Sequence, residues 1–280
     1  MIRTVTLNTG TPFPLVGLGV MYIPDAETPT AMRAAVGLGY RAFDTAPVYR
    51  NEAAVGRGVR ECGLPRDEVL VTTKLWNGNQ GYDAALAACE ASLDRLGLDQ
   101  IDLYLIHWPV PERNLYCDTW RALVRLRDEG RVKEIGVSNF LEPHLERIID
   151  ATGVVPAVNQ IELHPKFQQR ALRAVHARLG IVTEAWSPLG HGATLSDPRV
   201  KAVADRLGVS PARVILAWMT SRDIVAIPKA SSIDHMRDNL ASLDLVLDQE
   251  ALTALDSLDD PDGRGGPDPA SFGLLDLEHA

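Results

Sequence analysis

Eight short β-rich apolar runs, alternating with longer amphipathic stretches, organise this chain of 280 residues. They are VGLGV (16–20), RAFDTA (41–46), VLVTTK (69–74), IDLYLIH (101–107), EIGVS (134–138), PAVNQIE (156–162), IVTEAW (181–186) and IVAIPK (224–229). A strand that pairs in parallel with its predecessor needs a long crossover, usually a helix, so strict β and α alternation implies a parallel sheet clothed in helices. The intervening segments support this. YDAALAACEASLDRLG (82–97) sets Leu86, Cys89, Leu93 and Leu96 at helical spacing and ends on Gly97, a C-cap signal. EPHLERIIDAT (142–152) and QRALRAVHARLG (169–180) follow the same period, and the Asp197-Pro198 and Ser210-Pro211 pairs cap two further helices over 197–208 and 210–222.

Eight repeats predict closure into an α/β fold of the (β/α)8 TIM-barrel type, a single domain over 1–280. In front of it, TVTLNTGTPFPLVG reads as an N-terminal β-hairpin turning at Asn8-Thr9-Gly10. An open doubly wound sheet is the rival, but its dinucleotide fingerprint needs a third glycine after Gly17-Leu18-Gly19, where Tyr22 stands. The Pro- and Gly-rich tail Pro261–Ala280 reads as a loop crossing the surface.

Bulk properties narrow the function. A net charge of −9 gives no footprint for nucleic acid or an anionic membrane. Three cysteines, odd in number and without metal spacing, argue against a disulfide framework or zinc site and for a reducing cytoplasm. No apolar run approaches the roughly 20 residues of a membrane span, and the N-terminus lacks the pattern of a signal peptide.

Four polar residues interrupt the apolar pattern where barrel strands end, the end at which barrel folds carry their chemistry. Asp44 follows Phe43 at the end of the second strand, Tyr49 lies just beyond, Lys74 closes the third run and His107 the fourth. Reducing a carbonyl by hydride transfer requires a proton donor beside the developing alkoxide. A nearby ammonium favours the phenolate and so lowers a tyrosine pKa from its usual value near ~10, while a carboxylate keeps a buried ammonium charged. A neutral histidine can donate a hydrogen bond to the carbonyl oxygen. Singly, each residue has a structural alternative: Asp44 as a helix cap, Lys74 as a surface residue, His107 as packing beside Trp108. Their joint placement at strand ends favours chemistry.

GYRAFDTAPVYRNEAAVG (39–56), KLWN (74–77), LIHWP (105–109), GVSNF (136–140), NQIELHP (159–165) and IPKASSIDHMRDN (227–239) resemble, in this order, the signatures of the aldo-keto reductase family, with its bacterial diketogluconate-reductase-like branch nearest. The resemblance implies a monomeric reductase of aldehydes, ketones, dicarbonyls or keto-sugars that uses NADPH. It makes Tyr49 the general acid, Asp44 and Lys74 its tuning pair, and His107 the residue that orients the carbonyl. Ser138, Asn139 and Gln160 then match the residues that hold the nicotinamide carboxamide, and Trp186 the aromatic on which its ring stacks. Ser187, Leu189 and Gly190 fall along the pyrophosphate loop. Tyr22, Trp76 and Trp108 join His107 around the substrate. Turn chemistry for Ser138 and Asn139, and core packing for the aromatics, are the structural alternatives.

At the far end of the coenzyme the chain departs from the family it resembles. Ala230 stands where the resemblance expects Ser, and His235 where it expects the Arg that grips the 2′-phosphate; Lys229, Ser231, Ser232 and Asn239 remain nearby. A neutral imidazole offers one donor in place of a permanently charged planar fork. The expectation is NADPH preferred but NADH accepted. Two other classes stay open at this point: a nicotinamide-binding redox-sensing regulatory subunit with slow turnover, and an aldolase or isomerase using Lys74 as a Schiff-base nucleophile.

Overall fold

A computed structural model describes residues 3–276 of the chain. It opens on the antiparallel hairpin of β1 (Thr4–Thr6) and β2 (Pro12–Pro14), with Val5 opposite Phe13. Eight parallel strands follow in unbroken neighbour order: β3 (Leu18–Gly19), β4 (Ala42–Asp44), β5 (Leu70–Leu75), β6 (Ile101–Ile106), β7 (Val132–Ser138), β8 (Val158–Glu162), β9 (Val182–Trp186) and β10 (Val225–Ala226). Each of the eight runs read from the sequence overlaps one of them, although β5 extends one residue past its run and β7 begins two residues before its own. Parallel bridges from Val16 to Ala226 and from Gly19 to Lys229 join the last strand to the first and close the barrel. A Cβ on Gly19 would lie 2.9 Å from the carbonyl oxygen of Ile227, so the seam needs glycine there.

The hairpin stops the lower end of the barrel. Asn8 ties it to the carbonyl of Pro156 just ahead of β8, and Leu7, Phe13 and Leu15 pack with the inward side chains Leu103, Leu105, Val158, Val182 and Val225. The opposite mouth is left open.

Around the strands lie α1 (Thr28–Leu38), α2 (Glu52–Glu61), α3 (Tyr82–Leu96), α4 (Tyr116–Asp128), α5 (Glu142–Thr152), α6 (Arg170–Leu179), α7 (Pro198–Leu207), α8 (Pro211–Thr220), α9 (Ile233–Leu240) and α10 (Gln249–Asp256). The predicted punctuation is real: Gly97 ends α3 at φ 63°, and the side chains of Asp197 and Ser210 accept the backbone N–H groups of Arg199 and Arg213 at the starts of α7 and α8. Helices α1 and α2 carry weaker marks, since Gly37, Gly56 and Gly58 interrupt their patterns and Glu27 and Asn51 make no side-chain cap. Among the described residues no helix is long and apolar enough to cross a membrane. The tail has no helix or strand over 261–276, as predicted, but it roofs the barrel mouth rather than merely crossing the surface; 277–280 lie outside the described residues, as do 1–2.

Candidate active site

Strand alternation aims the site. Thr73 turns outward and donates to the carboxylate of Glu52 on α2, so Lys74 beside it points into the barrel, level with Leu105 of β6. There Lys74 is fully buried, and its ammonium donates to both oxygens of Asp44 at 2.7 and 2.8 Å and to the carbonyl of Thr45 at 3.0 Å. The Lys74 nitrogen also lies 5.2 Å from the ring centroid of Tyr49, which closes the short 3-10 turn Pro47–Tyr49 after β4. His107, the residue after β6, approaches from the other side: its ring centroid is 6.2 Å from that of Tyr49 and 5.2 Å from that of Trp76. The four polar strand-end residues therefore form one cluster.

Their charge states follow from burial. Although burial pushes the Lys74 ammonium down, Asp44 and Tyr49 outweigh it, so the lysine stays a cation. Burial, reinforced by the charge of Lys74, drives the His107 imidazole well below its ordinary range, which makes it neutral; its buried Nδ1 has no hydrogen-bond partner. Tyr49 corrects an expectation. Lys74 does pull its pKa down, but burial is the larger effect and the phenol lies above its usual value. The protonated phenol is the form that a proton donor requires.

A cavity of about 560 Å³ opens above this cluster. Asp44, Tyr49, Trp76, His107, Trp108 and Tyr22 line one part, and Ser138, Asn139, Gln160, Trp186, Ser187 and Lys229 line the rest. The polar atoms of this second group are largely engaged already. Ser138 Oγ donates to the backbone carbonyl of Gln160, Asn139 Nδ2 donates to the carbonyl of His107, and Trp186 Nε1 donates to Asn139 Oδ1. Tyr22, Asn139 and Ser187 hold positive φ values of 63°, 63° and 48°, a conformation that costs energy outside glycine and is found at sites.

Other expected coenzyme residues stand off the cavity. Leu189 packs towards the outer core with α7 and α8, and Gly190 is buried against His164 and Thr194. Ser231 and His235 are exposed, Ser232 caps α9 by accepting the N–H of His235, and Asn239 is buried in the last turn of that helix. Ala230 sits in the core, where it packs with the same cluster as Met236. Lys229 alone carries this segment to the cavity wall.

Two acids inside apolar strands were missed, although each stood out as a lone charge in IVTEAW and NQIELHP. Glu184 lies in the barrel interior, and burial together with Asp44 pushes its carboxyl up to about 8. Glu162, also buried, accepts the backbone N–H groups of Gly265 at 2.7 Å and Gly266 at 2.9 Å. Burial alone would raise the Glu162 carboxyl, but His164 and these two N–H groups outweigh it and hold the pKa below the ordinary value. The tail is thereby clamped over Trp186: a Cβ on Gly266 would come within 2.5 Å of the indole. Its other end is fixed by Trp76 Nε1 and Asn77 Nδ2, which donate to the carbonyls of Leu275 and Leu274 at 2.8 Å each. Between these anchors Phe272 packs on Trp108 with ring centroids 4.5 Å apart, and Pro267, Phe272 and Leu274 wall the cavity.

Comparison with known proteins agrees with this architecture. Residues 15–260 match the Aldo/keto reductase family. An aldo-keto reductase of Mycobacterium sp. (strain JLS) is 51% identical over 96% of this chain and 97% of its own. A morphine 6-dehydrogenase of Pseudomonas putida is 46% identical over 95% of this chain and 94% of its own. The crystal structure of a Gox0644 mutant in complex with NADPH superposes with a TM-score of 0.94 at 46% identity, covering 98% of this chain and all of that one.

Proposed function

This chain belongs to the aldo/keto reductase family and is an oxidoreductase of that kind; from that premise we propose that it reduces a small carbonyl compound with hydride from NADPH, using Tyr49 as the general acid. The observation that carries the reading is the Lys74 ammonium held by Asp44 beside the Tyr49 ring, with neutral His107 opposite, at the floor of an aromatic cavity. Tyr49 gives its proton to the carbonyl oxygen as the alkoxide forms. Lys74 stabilises the phenolate left behind, and Asp44 keeps Lys74 charged throughout. His107 orients the carbonyl through a hydrogen bond that needs no charge of its own.

The residues fit a nicotinamide coenzyme, which when bound supplies the hydride. One cavity is lined by Asp44, Tyr49 and His107, by Trp186 and Ser187 and by the exposed Lys229, and Gln160, with Ser138 and Asn139 beside it, lines its middle. The NADPH bound to the Gox0644 relative supports the choice of coenzyme. The exposed segment with Ser231, Ser232 and His235, together with the buried Asn239 of α9, is where the adenosine end would lie, and Leu189 and Gly190 would shape the loop beneath the pyrophosphate. Ala230 is packed in the core and His235 offers an imidazole in place of a permanently charged planar fork, which favours NADPH preferred with NADH accepted. The substrate class is an aldehyde, ketone, dicarbonyl or keto-sugar; the walls Trp76, Trp108 and Phe272 favour one with an apolar or flat face. The reading extends to a monomeric cytoplasmic enzyme: the family resemblance suggests the monomer, and three cysteines without metal spacing suit a reducing compartment.

Consumption of NADPH with a reactive dicarbonyl, followed at the nicotinamide absorbance band, tests the reading. Turnover that Tyr49→Phe abolishes is expected. Tight coenzyme binding without turnover would instead favour the redox-sensing alternative.

A further inference from the structure

Gln160 is gripped by two buried carboxylates. It pairs in register with Glu184 across β8 and β9. Both side chains point into the barrel, because their neighbours Asn159 and Thr183 turn outward to His176 of α6. The amide nitrogen of Gln160 donates at 2.8 Å to Asp44 Oδ2 and at 2.9 Å to Glu184 Oε2. An amide nitrogen has two hydrogens, so these bonds saturate it. The opposite flip would set the amide oxygen against two acids, one of them the acceptor for Lys74. The chemistry of the neighbours therefore fixes the amide with its oxygen turned away from both. Both side-chain hydrogen bonds of Gln160 among the described residues leave from its nitrogen, and the residue lines the cavity, while Ser138 and Asn139 spend their side-chain polar groups within the protein.

We propose that Glu184 is a positioning residue, holding the Gln160 amide so that its oxygen is presented to the carboxamide N–H of the nicotinamide coenzyme. The inference rests on the reading of this chain as a nicotinamide-dependent reductase. Asp44 already serves Lys74 with both oxygens and holds only one hydrogen of the amide, so without Glu184 the second hydrogen loses its acceptor and the amide is free to turn. Glu184 does this without adding a second anion beside the Asp44–Lys74 pair, since burial and the charge of Asp44 keep its carboxyl protonated at neutral pH, and a protonated carboxyl still accepts through one oxygen.

The test compares dissociation constants of NADPH and its reduced 3-acetylpyridine analogue, which has a methyl ketone in place of the carboxamide and hence no N–H. Binding is read from quenching of intrinsic tryptophan fluorescence, which needs no turnover. Wild type is expected to prefer NADPH about tenfold, the range of one hydrogen bond whose buried acceptor would otherwise go unmet. Glu184→Met should cut this preference to about twofold or less, whereas Glu184→Gln, which keeps an acceptor oxygen of the same reach, should retain it. If Glu184→Met does not fold, Glu184→Ser, too short to reach the amide, carries the same expectation. Equal binding of both coenzymes by wild type, a folded Met or Ser variant that keeps the preference, or a Gln variant that loses it overturns the proposal. A wild type that binds neither coenzyme overturns the reductase reading itself, a distinct result.

Discussion

The floor and the rim of the cavity are built on opposite principles. The floor consists of side chains on strand ends or one turn beyond: Asp44, Lys74 and His107 are each less than a tenth exposed, and covalent geometry plus sheet register decides where they point. The rim consists of loop: the tail over 261–276, held by a few backbone hydrogen bonds, and the exposed segment around Lys229 and His235. On the proposed function, strand ends carry the chemistry and loops the choice of molecule, as barrel folds generally divide the work. Changes in the floor should therefore appear in kcat and stability, and changes in the rim in KM and coenzyme preference.

The largest expected effect is at Lys74. Lys74→Met leaves Asp44 buried without its cation, so it should lose about 3–5 kcal/mol of stability in denaturant titration as well as most activity. Adding Asp44→Asn should recover much of the stability but none of the turnover. A double variant that recovers both would show that the pair serves folding alone.

Next comes Tyr49→Phe. A fall in kcat of at least about 100-fold, roughly 2.7 kcal/mol of transition-state stabilisation, is expected with coenzyme affinity little changed. Because burial holds Tyr49 protonated well past neutrality, and His107 is already neutral, neither group should produce an inflection in kcat between about pH 6 and 9.

At the rim the effects are smaller. The ratio of kcat/KM for NADPH over NADH should lie below about 1000-fold, and His235→Arg should raise it about tenfold by restoring a permanently charged fork. A ratio already above that limit would mean that Lys229 and the serines suffice.

The smallest effect belongs to the clamp. Glu162→Gln sets an amide N–H against that of Gly265 or Gly266, which should loosen the tail and raise the carbonyl KM about three- to tenfold with kcat changed less than about twofold. The pH dependence has a definite sign. The folded pKa of Glu162 is depressed, so its contribution is present above the ordinary carboxyl value near ~4.5 and is lost as pH falls through the folded one. Wild-type KM should climb on acidification, and Glu162→Gln should be insensitive there. If the two behave alike, the tail is held by Trp76 and Asn77 instead.

The same contrast explains what was legible in the sequence. Asp44, Lys74 and His107 could be found because each is a polar residue ending an apolar run, and the period of a strand says which way it points. Glu184 and Glu162 gave the same kind of signal, an acid inside an apolar strand, but their meaning lies in partners 24 and over 100 positions away. Phe272 and Leu274 gave none, since a Gly- and Pro-rich tail looks like any surface loop until something binds it. At Leu189 and Gly190 the motif gave only a place along the chain; their side-chain packing, Leu189 towards α7 and α8 and Gly190 against His164 and Thr194, came from the tertiary structure.

The sequence by itself determined the alternation that makes a barrel, the punctuation of its helices and the strand-end residues able to move a proton, because these depend on local period and residue chemistry. Only the tertiary structure decided that burial lifts Tyr49 above its ordinary pKa despite Lys74, that Gln160 is held by two acids, and that the tail forms the roof. Those depend on how much water is excluded and on which distant groups meet, and neither quantity is carried by any short stretch of chain.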